Sequence, residues 1–255
     1  MTVFRTIVGC FVAGLFMFPF CRDARAAGAA YQVDTAEVSE PGSCKVESWA
    51  SGAGNRDVFA AIAPACVMQI YRPVEVSTQF NRSRADGEWA SAATPKLKTS
   101  LVPTAIGSWG VALSGQGAYD LSTGYNTALF ATVPATLRMS ETVRINLNGG
   151  WQWDRLIDRH YFTYGAGFDL RTRDNVWTLT GEVFGQLAVS RIGIPSDDSA
   201  PAASITDPRF QVGLRWRPVE QFNVDLIYGR NIQGENANWI TLATTVRFEV
   251  EKQAK

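Results

Sequence analysis

Polar and apolar residues alternate along most of the chain, with the two-residue period of a β-strand rather than the 3.6-residue period of a helix. The clearest example is the segment 209–217, where every second residue is apolar. Its apolar face consists of Phe210, Val212, Leu214 and Trp216. The segments 143–154 and 161–171 repeat this arrangement. The pattern therefore predicts an all-β protein.

The alternation predicts twelve strands, most of them about ten residues or longer, which is the length a tilted strand needs to cross a bilayer. Strands of soluble proteins average about five to six residues. We therefore predict an antiparallel, up-and-down transmembrane β-barrel with both ends of the chain on the periplasmic side. The predicted strands are 44–51, 57–66, 74–84, 91–102, 108–119, 125–138, 142–154, 160–171, 176–191, 207–217, 222–231 and 238–248.

The turns and the aromatic residues distinguish a periplasmic end from an outer end of the predicted barrel. Short turns such as 71–75 fall at the predicted periplasmic end, whereas the long polar segment 192–205 falls at the outer end. Aromatic residues collect near the strand ends, as the interfacial girdles of a membrane barrel require. The periplasmic set is Tyr71, Trp109, Trp177, Trp216, Phe222 and Phe248, and the outer set is Trp151, Trp153, Tyr161, Phe162 and Tyr228.

The N-terminus has the features of a secretory signal peptide. Arg5 precedes an apolar run over 7–20, and Ala24-Arg25-Ala26 gives a small-x-small cleavage pattern. We therefore predict a signal peptide over 1–26, a loose periplasmic lead-in over 27–43, the barrel over 44–248 and a polar tail over 249–255. Export with this signal would place the barrel in the outer membrane.

Composition excludes several classes of function. Removal of three arginines and one aspartate with residues 1–26 leaves 21 basic and 23 acidic residues, so no basic field exists to bind nucleic acid. No nucleotide-binding or zinc-ligand spacing occurs, and we expect no cofactor and no metal. Cys44 and Cys66 are equidistant from Asn55 in a turn-like run, which predicts a disulfide across the first hairpin.

The polar face of the predicted strands carries many charges, which would line the lumen. Arg215 is expected directly opposite Asp225 as a cross-strand pair. Two interpretations stay open, an anion-favouring pore and a narrow interior filled by salt bridges. The predicted lumen-facing charged residues are Glu75, Lys96, Lys98, Arg144, Asp169, Arg171, Glu182, Arg209, Arg215, Arg217, Asp225 and Arg247.

The segment 239–248 resembles the β-signal of outer-membrane barrels, with alternating apolar positions and a final aromatic residue, Phe248. The resemblance implies recognition by the barrel-assembly machinery and contact with outer-membrane lipid. Residues 44–248 also resemble the transporter barrels grouped with the phenol-degradation MetA-pathway proteins. That resemblance rests on the turn-and-strand motif 72–76, the hairpin tip 84–89 and the closing strand. It implies passage or binding of small, aromatic solutes and carries over no functional residue.

Two alternatives to a channel compete with this prediction. His160 is the only histidine, and with Asp154 or Asp158 it could serve an outer-membrane lipid hydrolase, although no serine lies nearby in sequence. A soluble periplasmic barrel that binds an apolar ligand would instead turn its apolar face inward. The alternation alone does not say which face points inward, so both alternatives stay open. We predict a non-enzymatic channel.

Overall fold

The computed structural model describes residues 30–189, 208–232 and 237–250. The predicted signal peptide, the predicted long outer segment 192–205 and residues 251–255 of the polar tail lie outside these ranges. None of the described residues form a helix that is long and apolar enough to span a membrane.

Twelve antiparallel strands close into one barrel, in which each strand pairs with its sequence neighbours and β12 returns to β1. The strands are β1 (Ser43–Ala53), β2 (Val58–Gln69), β3 (Pro73–Ala85), β4 (Glu88–Val102), β5 (Trp109–Asp120), β6 (Asn126–Arg138), β7 (Val143–Asp154), β8 (Arg159–Arg171), β9 (Trp177–Ala188), β10 (Arg209–Val219), β11 (Phe222–Asn231) and β12 (Asn238–Glu249). The predicted fold class and strand count are thus confirmed, with strand ends shifted by up to three residues.

The apolar face of the strands points outward. Leu147 on β7 and Leu214 on β10 are 42% and 46% exposed, whereas Gln211 and Asp225 on the other face are 1% exposed. This orientation suits a membrane, because the outward apolar side chains can contact the hydrocarbon of the lipid instead of water. It is the reverse of what a soluble barrel for an apolar ligand requires, so that alternative is wrong in its orientation.

The predicted aromatic residues lie near the strand ends, but one of them is on the inward face of the barrel. Trp151, Trp153 and Phe162 are on the outward face near the outer end, and Trp177 packs near Trp216 at the periplasmic end with ring centroids 6.4 Å apart. Tyr161 is the exception. It lies on the inward parity of β8 and is 8% exposed, so its ring belongs to the lumen and not to the girdle.

The first hairpin has the predicted register, with Cys44 opposite Cys66. Their Cα atoms are 4.1 Å apart, and the two sulfurs form a disulfide. The turn is centred near Asn55, where Arg56 adopts a left-handed conformation and the Ala53 amide donates to the Asp57 carbonyl. This disulfide lies on the outward face at the periplasmic end of β1 and β2.

Residues 30–42 do not form the loose periplasmic lead-in that the sequence predicted. Val33 and Ala36 are 4% and 0% exposed, and the segment bonds to inward-facing side chains of strands from all sides of the barrel. Only a chain that runs inside the lumen can reach these partners. We call this stretch, Ala30–Gly42, the N-terminal segment. Its polar, aperiodic sequence suits a lumen lined by charged groups, which explains why it packs inside the barrel and does not form a loose lead-in.

Candidate functional site

The N-terminal segment enters the lumen from the periplasmic rim. The Gly42 amide donates to the Val67 carbonyl, and the Val250 amide donates to the Gly42 carbonyl, both at 2.9 Å. These bonds tie the segment to the ends of β2 and β12. From this point the chain turns inward, so that earlier residues lie deeper in the barrel.

Two carboxylates hold the lower part of the segment to four cations of the wall. Glu37 contacts Arg138 at 3.8 Å and Arg144 at 2.5 Å. Asp34 accepts hydrogen bonds from the ammonium groups of Lys96 at 2.6 Å and Lys98 at 2.8 Å.

Burial by itself would raise the pKa of Asp34, but the ammonium groups of Lys96 and Lys98 outweigh it. Their charges and hydrogen bonds hold the pKa of this carboxyl well below its usual range. Asp34 is therefore ionised at neutral pH and acts as a fixed anion between two lysines. Lys98 is only 4% exposed at its side chain, so it has little water to replace this partner.

The upper part of the segment bonds to neutral and acidic groups across the barrel. The Gln32 amide donates to Glu182 at 2.9 Å, and the Tyr31 hydroxyl donates to Asp225 at 3.1 Å. The Ala30 carbonyl accepts from the Gln211 side chain at 3.1 Å. Burial raises the pKa of Tyr31 far above its ordinary value, so its hydroxyl stays a donor.

Glycines on the inward face allow the segment to approach the wall. A Cβ at Gly165 on β8 would lie 2.8 Å from the Val33 side chain, and one at Gly213 on β10 would collide with the Tyr31 hydroxyl. Side chains at these two positions would displace the segment. No local sequence pattern marks these two glycines, because the segment that touches them lies more than 130 residues earlier in the chain.

Eleven of the twelve charged residues that the sequence assigned to the lumen line a cavity inside the barrel, and Arg209 does not. Among them, Arg215 pairs with Asp225 at 2.7 Å, as the cross-strand register predicted, and Arg144 pairs with Asp169 at 2.8 Å. Arg209 lies at the outer end of β10, away from the cavity described below.

Sequence reasoning missed other inward charges at the periplasmic end. Lys45 and Glu47 on β1 share the inward parity, and Lys45 lies 3.6 Å from both Glu47 and Glu75. Arg138 at the end of β6 was also missed. The signal was present in the strand parity, since all three residues share the parity of the inward face. Asp34 and Glu37 had no such signal, because their segment has no period.

Cavities lie beside the segment in the part of the chain that the structure describes, and two of them bear on function. One of about 520 Å³ lies within the lumen, and its wall includes eight basic and five acidic side chains from the strands. The other, of about 740 Å³, lies at the periplasmic mouth between Val38, Arg72, Leu101 and Thr142. Among the described residues, no cluster of His, Cys, Asp and Glu is arranged to hold a metal ion.

His160 lies outside this site. Its ring stacks between Trp151 and Trp153 on the outward face, with centroids 5.3 and 5.9 Å away. Asp158 instead accepts from the Trp153 indole, and Asp154 accepts from the Leu156 amide. Within the described ranges, no serine or carboxylate hydrogen-bonds to the imidazole. The stacking places the imidazole in the aromatic girdle.

Comparison with known proteins agrees with the barrel. The model of a family described as "Uncharacterised conserved protein UCP029691" matches residues 16–248. A search of curated protein sequences found no match.

Solved structures of outer-membrane channels and porins resemble the whole barrel at low sequence identity. A KdgM porin in complex with disordered oligogalacturonate is 9% identical with a TM-score of 0.60, covering 80% of this chain and 99% of that one. A NanC porin is 8% identical with a TM-score of 0.62, covering 79% and 98%. The COG4313 outer membrane channel from Pseudomonas putida F1 is 13% identical with a TM-score of 0.55, covering 85% and 100%. These likenesses establish the fold.

Proposed function

We propose that this chain, which belongs to the family of uncharacterised conserved protein UCP029691, is an outer-membrane channel for small anionic solutes that is narrowed by its own N-terminal segment. Transport rather than catalysis is supported by the charged lumen and by the place of His160 in the aromatic girdle. The likeness to porin and channel barrels supports the same class of function.

The observation that carries the proposal is the charge of the lumen wall. Eight basic side chains and only five acidic ones from the strands line the inner cavity, and the carboxylates of Asp34 and Glu37 offset part of the surplus. A confined excess of fixed positive charge raises the local concentration of anions and lowers that of cations. A small carboxylate or phosphate would pair with wall cations of the kind that Asp34 and Glu37 contact in the structure.

A narrower solute class, small aromatic acids, is supported by the apolar part of the lumen. Trp49 and Phe59 stack with centroids 6.2 Å apart on the inward face, and Phe184 and Trp239 form a second buried cluster with Val33. Aromatic walls favour planar apolar rings. This agrees with the resemblance to the MetA-pathway barrels, which stays a prediction. Block of the conductance by benzoate at concentrations where acetate has no effect would support it, and equal block by both would contradict it.

The test of the channel is conductance of the refolded full chain in planar bilayers, with the reversal potential measured under a KCl gradient. We expect small conductance and preference for chloride. In an Asp34→Asn/Glu37→Gln variant, two negative charges leave the lumen and four wall cations lose a partner. Conductance and anion preference should both rise.

The matched control is Glu40→Gln, because Glu40 is an exposed carboxylate of the same segment with no ion pair among the described residues. It should behave as the unmodified protein. Absence of conductance in both the unmodified protein and the double variant would overturn the channel. Cation preference in a conducting double variant would overturn the anionic solute class.

A further inference from the structure

Three arginines of the lumen differ from the other cations that line the inner cavity. Lys45, Lys96, Lys98, Arg144 and Arg215 each lie within 4 Å of a carboxylate. Arg171, Arg217 and Arg247 line the same cavity, and among the described residues none of them has a carboxylate at that distance. Unpaired guanidinium groups in a half-buried site are costly unless an anion joins them.

The three side chains come from alternate strands at one level of the barrel. Arg171 ends β8, Arg217 lies two residues before the end of β10, and Arg247 lies two residues before the end of β12. Alternate strands are about 10 Å apart, a spacing that two inward-pointing arginine side chains can bridge to one ion. The three side chains line one cavity, and the positive charges of Arg247 and Arg171 are close enough to act on the Arg217 guanidinium.

The hydrogen-bonding groups of the three guanidiniums are also largely unused. The Nε atom of Arg217 is buried and has no hydrogen-bond partner in the described part of the chain. Arg247 donates one bond, from Nη1 to the Asn223 side-chain oxygen at 2.8 Å. Asn223 in turn donates to Asp225 and Thr245, which fixes its oxygen toward Arg247. Within the described ranges the remaining N–H groups of the trio have no hydrogen-bond partner, so they can bind oxygen atoms in the cavity.

We propose that Arg171, Arg217 and Arg247 form a binding site for one small oxyanion, a phosphate or carboxylate group of the solute, inside the lumen near its periplasmic end. A planar guanidinium donates two parallel hydrogen bonds to such a group, and arginine suits this role better than lysine does. Glu47 and Asp225 attract Arg247, and Glu37 and Asp169 attract Arg171, so these carboxylates offset part of the positive charge of the site. This site deepens the proposed function by naming where the anion pauses, and so rests on it.

Calorimetric titration of the full chain in detergent tests the site without any need for conduction. Inorganic phosphate and succinate are titrated separately at neutral pH. Saturable binding of at least one of them is expected, and the stronger of the two identifies the source of the oxyanion. Arg217→Gln and Arg171→Gln should each weaken that binding at least tenfold. Arg72→Gln removes the same charge at the periplasmic rim, outside the trio, and should leave it unchanged.

Different outcomes separate the site from the channel. Unsaturable titration with both anions, or affinity unchanged in Arg217→Gln, would overturn the site even if the protein conducts. Binding that needs the arginines in a protein that never conducts would support the site and contradict the channel. Retention of the heat-dependent gel shift in each variant shows that the barrel is intact. Equal loss of affinity in Arg72→Gln would show that only the net positive charge matters, and it would overturn the site.

Discussion

At the scale of single residues, the position of a side chain on the inward or outward face decides what a charge costs. Outward positions near the middle of a strand contact hydrocarbon, where an unpaired cation loses its hydration. Inward positions contact the wet cavity, where Lys96 and Arg144 already lie. The same substitution should therefore have different costs on the two faces.

We predict that Leu147→Arg on the outward face of β7 destabilises the barrel by about 2–4 kcal/mol. Gln79→Arg, at the centre of β3 and lining the inner cavity, should cost less than about 1 kcal/mol because water and counter-ions reach it. Urea unfolding in lipid vesicles measures both. Equal costs, or a larger cost for Gln79→Arg, would mean that the faces are assigned the wrong way round.

Asp34 is the residue whose ionisation holds the N-terminal segment. Its pKa is lowered in the folded protein, so its stabilising effect is present above the ordinary pKa of about 4 and is lost only as pH falls through the lowered value. The conductance of the unmodified protein should therefore show no opening from Asp34 between pH 7 and about pH 4. A steep rise in conductance in that pH range would show that a group other than Asp34 controls the pore.

Replacement of Asp34 tests the same contact at neutral pH. Asp34→Asn leaves the buried ammonium of Lys98 without a counter-ion, and we expect docking of the segment to weaken by about 3 kcal/mol. Hydrogen exchange at the Ala36 amide, which donates to Thr136 at 2.8 Å, should become about a hundredfold faster. Glu40→Gln is the control and should leave the exchange rate unchanged.

The inward charged residues could be predicted from sequence because a strand repeats every two residues. One parity assignment places Arg215, Asp225 and the rest of a face together. Tyr161 was misplaced by the same reasoning, since an aromatic residue near a strand end was taken as girdle although its parity is inward. Asp34 and Glu37 could not be predicted, because their partners lie 62 to 107 residues away and no local pattern encodes them.

At the scale of the element, the first hairpin shows that the position of a turn can predict the register of the two strands beside it. The turn near Asn55 fixes the register, and the register alone brings Cys44 and Cys66 together. The N-terminal segment offers the opposite case. It has no repeating pattern, and its position depends on side chains from six different strands, which only the closed barrel brings together.

The disulfide of this hairpin should stabilise the barrel. Its two cysteines are 22 residues apart, and a crosslink of that size contributes about 3 kcal/mol in the chain-entropy model. Cys44→Ser/Cys66→Ser should therefore unfold at lower urea concentration. Mass spectrometry of alkylated, non-reduced protein checks the bond directly. Two alkylated thiols in freshly purified protein would show that the bridge is not formed.

At the scale of the whole molecule, we expect the closure of the barrel to be energetically independent of the N-terminal segment. The barrel is held by continuous ladders from β1 to β12 and back, with eleven registered pairs across the closing seam. A closed sheet has no free edge, and it resists unfolding in detergent for that reason. The segment adds no strand to any ladder, since it contacts the wall mainly through side chains and through backbone bonds at the rim.

Deletion of residues 30–40 should therefore open the lumen and leave the barrel closed. The unboiled variant should still migrate differently from the boiled one on gels, as the unmodified protein should. Its conductance should rise several-fold, because the volume now filled by the segment becomes available to water and ions. The anion preference should also increase, since Asp34 and Glu37 leave the lumen while all eight basic side chains of the cavity wall remain. A deletion variant that keeps the gel shift but conducts no more than the unmodified protein would show that the segment does not limit the pore. Loss of the gel shift would show that the segment is needed for closure of the barrel, and that the two are not energetically independent.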